Sequence, residues 1–330
     1  MKKTRSLLIR MLKSNKKLWE LVTESAHKVS SIDSFNEFLI HEMMLADRVR
    51  VEAYHSAISK YVKPGDTVID LGTGTGILAF FAAKKGAKKV YAIDHSGIIS
   101  TAEKVAAYNN IKNIEFRRTH SKKFTLDTPV DIIIHEQMGS FLFNERMVDN
   151  ISDLRDRLLV KDGIIIPNRF EFYIEPVKIK DGYQVPFLWD QKINDIDFSC
   201  LNIQRSQKFR NNFYSRHSST FEFFLCHPQP IYCFDLQTIS PADLPSELSY
   251  SRKVINGGRL DGFVVYFRCF INEDFFLSTS PMENIDSNIH WLHFILRVRP
   301  RIYEKGEPIF FELKIEESLS VKESWWWNYR

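Results

Sequence analysis

The sequence predicts an α/β protein of two unlike halves, a parallel sheet with helical crossovers followed by an antiparallel β domain. Three observations carry this. Between residues 61 and 167, apolar strand-like runs alternate with helical patterns, the order that gives parallel strands joined by crossovers. After Pro167 the texture changes to alternating apolar and polar residues, the period-two signature of half-buried strands. Ahead of both, residues 1–60 are rich in Leu, Met, Ala, Glu and Lys and read as helices. The expected divisions are 1–60, 61–167 and 168–330.

The first stretch, Met1 to Trp19, carries many Lys and Arg and no acid, with apolar pairs at Leu7/Leu8, Met11/Leu12 and Leu18/Trp19. The simplest reading is a helix that packs this stripe on the next domain. A mitochondrial transit peptide has the same signature, as does a segment lying on an anionic membrane or an acidic partner. In the α/β half the expected strands are Thr67–Leu71, Lys89–Ile93, Ile114–Arg117, Val130–Ile134 and Gly163–Ile166. Helical patterns lie between them at Ile77–Lys85, Ile98–Asn109 and Arg146–Leu159. In the β half, Phe170–Val177, Val264–Ile271 and Pro308–Ile315 alternate most clearly, and a barrel or sandwich is expected. Residues 182–222 are irregular and read as a long excursion or a contact arm.

Composition bounds the function classes. Of 330 residues, 44% are hydrophobic and 26% charged, which describes a soluble globular protein rather than a fibrous or disordered one. A net charge of +4 does not by itself imply nucleic acid, and the basic clusters at Lys2–Lys17 and Arg117–Lys123 read as solvated faces. Cys200, Cys226, Cys233 and Cys269 show no C-x-x-C spacing, so free thiols in a reducing, cytoplasmic compartment are expected, and no metal. No apolar run reaches the roughly 20 residues of a membrane span.

The segment Asp70-Leu71-Gly72-Thr73-Gly74-Thr75-Gly76-Ile77 runs from a strand into a helix. A chain that turns sharply there, and lets a ligand approach its backbone, needs glycine. The spacing is G-x-G-x-G, and Ile77 stands where the dinucleotide fingerprint has its last glycine, which argues against a nicotinamide cofactor. Asp94 ends the next strand, about twenty residues on, where a carboxylate meets the ribose hydroxyls of a bound nucleoside. Asp70 ends the first strand, beside the expected charged end of that ligand.

The fourth strand runs into His135-Glu136-Gln137-Met138-Gly139-Ser140-Phe141-Leu142-Phe143-Asn144-Glu145-Arg146-Met147. Ligands of open α/β sheets bind beyond the carboxyl ends of the strands, so Glu136 starts a loop beside the cofactor, and Glu145 returns nine residues later. Two carboxylates facing one site can bind a metal, share a proton, or grip a planar cation. A guanidinium matches the last use, because its paired N–H donors fit a carboxylate fork. The plain alternative is that Glu145 faces its helix N-terminus and Glu136 is an ordinary loop acid.

Taken together, these motifs resemble the protein arginine N-methyltransferases, class I S-adenosylmethionine-dependent enzymes. The resemblance rests on the glycine turn Asp70–Gly76 with Ile77-Leu78, and on the paired-glutamate loop His135–Met147. It rests also on His41-Glu42-x-Met44-Leu45-x-Asp47-x-x-Arg50, and on Leu277–Pro281 with Ile289-His290-Trp291. It runs from about residue 34 to 315 and implies a Rossmann-like sheet with N-terminal helices, then a β-barrel domain carrying a dimerisation arm near 182–222. It implies S-adenosyl-L-methionine as cofactor, a homodimer, and an arginine-containing protein as substrate. Arg50 would bind the cofactor carboxylate with His41 near the same end; Gly72, Gly74 and Gly76 would cradle it; Asp94 would hold the ribose; and His120 and Ser121 would stand near the adenine. Glu136 and Glu145 would clamp the acceptor guanidinium, and His290, paired with Asp47, would accept or relay the proton. Met44 and Met147 would crowd the site, and Trp291 would wall the acceptor channel.

The sequence departs from the family at Gln137 and Ser140, where Trp and Tyr are usual, at Ile289 for Thr, and at Ser121 for an acid. Phe35-Asn36-Glu37-Phe38 stands for a tyrosine-rich motif. These changes keep two other readings in view, a methyltransferase of free arginine or a small guanidine compound, and a non-catalytic S-adenosylmethionine-binding or interaction subunit. A nucleic-acid methyltransferase is not expected, because His135-Glu136-Gln137-Met138 lacks the aromatic-proline loop that would stack a flipped base.

Overall fold

The computed structural model describes residues 38–185, 187–188, 192–200, 213–271, 275–283 and 291–330. The basic N-terminal stretch, Phe35-Asn36-Glu37, part of the expected arm, Ile289 and His290 lie outside these residues.

Two helices come first, α1 (Phe38–Ala46) and α2 (Arg48–Tyr61). They break at Asp47, whose side chain accepts the backbone N–H of Arg50 and so caps α2. The parallel sheet follows, with β1 (Thr67–Leu71), α3 (Ile77–Lys85), β2 (Lys89–Asp94), α4 (Ile99–Tyr108), β3 (Ile114–Arg118), β4 (Val130–His135), α5 (Met147–Leu158) and β5 (Leu159–Ile166). Its five strands lie in the order β3-β2-β1-β4-β5. The order reverses between β1 and β4, so the carboxyl ends of these neighbours open a crevice at the switch point. Val68, Ile69, Ile132, Ile133 and Ile134 are buried because helices cover both faces of the sheet.

The β half begins with β6 (Arg169–Ile179) and continues through β7 (Lys192–Ile193), β8 (Ile196–Asp197), β9 (Phe213–Arg216), β10 (Phe221–Phe224), β11 (Tyr232–Asp235) and β12 (Glu247–Lys253). It ends with β13 (Gly258–Ile271), β14 (Phe275–Ser278), β15 (His293–Tyr303), β16 (Pro308–Ile315) and β17 (Trp325–Tyr329). Strands β10-β6-β13-β15-β9, with β11 and β14, make a seven-stranded antiparallel sheet, and β12-β16-β17 a three-stranded one. The two sheets pack through Phe263 against Phe311 and Tyr329, with ring centroids 4.5 and 5.9 Å apart. No closed ring of strand pairings occurs among the described residues. Trp325 and Trp327 are core residues of β17, Trp325 standing against Phe141 of the paired-glutamate loop and Phe172 of β6. The four cysteines are free.

Candidate active site

A cavity of about 350 Å³ lies beyond the carboxyl ends of β1, β2 and β4. Its walls include α1, α2, the glycine turn, the paired-glutamate loop and Trp291. Three backbone features make the turn. Gly72, Gly74 and Gly76 have φ of +74°, +54° and +92°, a region that side chains disfavour. The N–H groups of Gly72 and Thr73 both donate to the carbonyl of Ile93 at the end of β2. The N–H of Gly74 donates to Asp94 Oδ2 at 2.9 Å.

Asp94 is thus held from the protein side. Its Oδ1 also accepts the N–H and hydroxyl of Ser96, at 2.8 and 2.7 Å. A carboxylate offers about four lone-pair positions, so one remains for a ligand hydroxyl in this arrangement. Asp94, Gly72 and Gly74 line the cavity, whereas Gly76 does not. A Cβ on Gly76 would fall 2.6 Å from the Phe80 ring, so this glycine serves turn-to-helix packing.

Asp70 is away from the cavity. Its Oδ2 accepts the Thr73 hydroxyl at 2.6 Å and the Ala79 N–H at 3.0 Å, so it ties the turn to the first turn of α3. Burial raises its pKa to about 7 against these hydrogen bonds. His120 and Ser121 also stand off the cavity. His120 caps a short 3-10 turn through the Lys122 N–H, and the Ser121 carbonyl accepts from Arg157. Met147 is fully buried in the hydrophobic core at the start of α5, because its side chain turns inward with Val148 and Ile151. Met44, His41 and Trp291 do line the cavity.

The charged centre is formed by Arg50, Glu136 and Glu145. Arg50 Nη1 donates to Glu136 Oε2 at 2.7 Å, and Nη2 to the carbonyl of Met44 at 2.6 Å. Its Nε is a buried donor with no hydrogen-bond partner among the described residues. Glu145 is half-buried, and desolvation together with the neighbouring Glu136 charge pushes its pKa up to about 8, opposed by Arg50. The loop between the glutamates is fixed by Phe141, Leu142 and Phe143, which are buried. It contains one strained position, Leu142 at φ +69°, and a second, Arg146 at φ +56°, follows Glu145 directly. Gly139 is required there, since a Cβ would fall within 1.8 Å of the Asn144 amide. The Trp291 indole N–H donates to the Met138 carbonyl at 2.7 Å, tying the loop to the β half.

Several cavity residues escaped the sequence reading. Tyr54 donates to the His135 carbonyl at 2.8 Å, under Glu136. His95, Thr73, Gln137 and Asn144 line the wall. The signal for Ser96 was present in Asp94-x-Ser96, a local turn in which the acid bonds two residues on. Tyr54 had none, because its partner is a main-chain carbonyl far away in the sequence.

The cavity fits a nucleoside with an amino-acid tail. A Cβ on Gly74 would fall 3.0 Å from the His41 ring, so the turn is shaped for close approach. Asp94 offers an acceptor at one end, and the unpartnered Arg50 Nε offers a donor at the other. With this geometry in place, similarity to known proteins is informative. Residues 52–167 match the family model of ribosomal protein L11 methyltransferase (PrmA). The chain is 30% identical over 298 residues to protein arginine N-methyltransferase 6 of Danio rerio, covering 88% of this chain and 83% of that protein. It is 32% identical over 274 residues to protein arginine N-methyltransferase 1 of Dictyostelium discoideum, covering 78% and 76%. Among solved structures, it superposes with a TM-score of 0.75 and 27% identity on a chain of the Trypanosoma brucei PRMT1 enzyme-prozyme heterotetrameric complex with AdoHcy, covering 85% of this chain and 89% of that one. Arabidopsis thaliana protein arginine methyltransferase 10 gives a TM-score of 0.73 at 25% identity, covering 88% and 92%. The glycine turn and the paired carboxylates therefore have their explanation in descent as well as in chemistry: the chain belongs to the S-adenosylmethionine-dependent protein arginine N-methyltransferases.

Proposed function

We propose that the chain methylates guanidinium nitrogens of arginine side chains in proteins, with Glu136 and Glu145 as the acceptor clamp. The observation that carries this is the pair of carboxylates converging on one cavity beside the glycine turn, with Arg50 hydrogen-bonded to Glu136 in the wall of that cavity. When bound, S-adenosylmethionine supplies an electrophilic methyl on a sulfonium. The protein's part is to hold a guanidinium nitrogen in line with that methyl and to draw the positive charge away from it. Glu136 and Glu145 accept N–H bonds from the far side of the guanidinium, which leaves the near nitrogen the better nucleophile. Burial gives Glu145 a high proton affinity, which suits its carboxylate to take a proton from the far side of the methylated guanidinium, whose charge is shared over its three nitrogens. His290 with Asp47 is a second proton acceptor on the strength of the family resemblance; Asp47 itself is buried at the α2 cap.

Arg50, His41, Gly72, Gly74 and Asp94 are assigned to the cofactor, and Met44 and Trp291 to the acceptor wall. A homodimer is proposed on the family resemblance, with residues 182–222 as the arm. Exposed Tyr183, Leu188 and Ile196 in its described part support this. A cytoplasmic location agrees with four free thiols.

The test is incubation of purified protein with S-adenosylmethionine and either an Arg/Gly-rich peptide or free L-arginine, read by mass spectrometry, with Glu136→Gln as control. Methylated peptide that is lost in the control is the expected result. Methylated free arginine with untouched peptide would move the acceptor to a small guanidine compound, as the polar Gln137 and Ser140 in the wall allow. No product on either would leave the interaction-subunit reading.

A further inference from the structure

Gln137 follows Glu136 and occupies a position where related enzymes carry a tryptophan. It is half-buried in the cavity wall. Its Oε1 accepts an N–H from Asn150 Nδ2 at 3.3 Å. The same Nδ2 donates to the backbone carbonyl of Glu145 at 3.2 Å. Asn150, in the first turn of α5, therefore ties together the two ends of the paired-glutamate loop. On its other side the Gln137 side chain lies against the glycine turn. An ideal Cβ on Gly72 would stand 3.9 Å from Gln137 Cγ and 4.0 Å from its Nε2.

This arrangement fixes which end of the amide faces the ligand. With Oε1 engaged by Asn150, the Nε2 donors are turned toward Gly72. A guanidinium has only donors, so the Nε2 end of Gln137 has nothing to offer the acceptor clamp. What it can hold is an acceptor, preferably anionic, close to the turn. The amino-acid end of the cofactor carries a carboxylate, and the cavity already presents one buried donor without a partner, Arg50 Nε.

We infer that Gln137 is a cofactor-binding residue, donating Nε2–H to the carboxylate at the methionyl end of S-adenosylmethionine, with Asn150 as its positioning residue. The inference rests on the S-adenosylmethionine reading of the cavity. It also gives cofactor and acceptor sites a shared part, because the Asn150 amide that orients Gln137 also holds the Glu145 main chain.

The test is calorimetric and needs no turnover. Binding of S-adenosylhomocysteine is compared with that of methylthioadenosine, which keeps the nucleoside and thioether but lacks the amino-acid end. Gln137→Leu should bind S-adenosylhomocysteine about ten-fold more weakly, the usual scale of a hydrogen bond to a charged group, and methylthioadenosine as wild type does. Gln137→Glu should lose more, since it brings a like charge. Asn150→Ala should fall in the same direction, and the double variant Gln137→Leu/Asn150→Ala should lose no more than Gln137→Leu alone. Melting curves of each ligand-free variant identify any that does not fold, and the two Gln137 variants suffice if Asn150→Ala fails. Unchanged S-adenosylhomocysteine affinity in Gln137→Leu overturns the inference, as does an equal loss for both ligands. Wild-type protein that binds neither compound would remove the cofactor reading itself, a result distinct from either.

Discussion

Arg50 and Glu136 meet at 2.7 Å, both side chains nearly buried, and this contact joins the helical N-terminal part to the end of β4. The Asp47 cap holds the Arg50 main chain, and the Met44 carbonyl holds its guanidinium. Each partner neutralises the other where water cannot. Removing one leaves a buried charge, which costs about 3–5 kcal/mol. Arg50→Ala should therefore destabilise by roughly that amount, measured by urea unfolding. Arg50→Lys keeps the charge but not the fork. It should recover most of the stability and still bind S-adenosylhomocysteine at least about ten-fold more weakly, since a compact ammonium lacks the planar fork that reaches Glu136, Met44 and a ligand in different directions.

Glu145 gives a prediction in pH. Its pKa is raised by burial and by Glu136 to about 8, above its unfolded value. Between the unfolded and folded values the unfolded chain ionises while the folded one stays protonated, so this group lowers stability as pH rises through that window. Glu145→Gln should be more stable than wild type, on the order of 1–2 kcal/mol at pH 8, and the gain should vanish near pH 4, where both states are protonated. Catalysis runs the other way. The clamp needs the ionised form, so kcat/KM of wild type should rise toward pH 8. Glu145→Gln should lose about 10²–10³-fold in kcat, the scale of losing one preorganised electrostatic group.

The glycine turn can be tested for its packing role. Gly76 has φ +92°, and a Cβ there would fall 2.6 Å from the Phe80 ring. Gly76→Ala should cost about 2–4 kcal/mol, from backbone strain plus overpacking. Phe80→Ala in the same chain should not add its full cavity cost, because the ring is also the obstacle. Thermal melts of the two single variants and the double variant check this, and strictly additive losses would contradict it.

How legible this was in the sequence follows from the range of each signal. The helix Ile77–Lys85 and the strands Thr67–Leu71 and Pro308–Ile315 were read to the residue, since each is bounded by a local stop. Strand β5 begins at Leu159, earlier than its apolar run, because Leu159–Asp162 pair or extend at the sheet edge with little to bury. Glu136, Gly72 and Asp94 were legible because strand ends face the crevice whatever else the chain does, and Glu145 because its loop returns to the same end of the sheet. Asp70, Met147 and His120 were misplaced relative to the cavity for one reason. A residue beside a motif can point either way, and only the packing of α3, α5 and the 3-10 turn decides. Gln137 was visible only as a departure; its partner Asn150 lies a loop away.

The β half offers a last test, away from the cavity. Glu175 is fully buried on β6, and its Oε1 accepts from Arg252 Nη1 at 2.6 Å and from the Gln229 N–H at 2.9 Å, while Oε2 has no hydrogen-bond partner among the described residues. Burial raises its pKa to about 7 even though Arg252 and the Gln229 N–H act to lower it. Arg252→Leu removes the main compensation and should drive the pKa higher still. Its cost should be small near pH 5, where Glu175 is protonated in the folded state, and should grow by about 1 kcal/mol toward pH 8, because wild type releases the proton near pH 7 and the variant does not. Glu175→Leu/Arg252→Leu should recover much of the loss and show no such pH dependence, because an apolar pair of similar volume carries no proton linkage. Unfolding curves at both pH values separate the two cases. A cost for Arg252→Leu that does not change with pH would mean that the arginine acts by packing on Tyr250, whose ring centre lies 3.9 Å from the guanidinium carbon, rather than through Glu175.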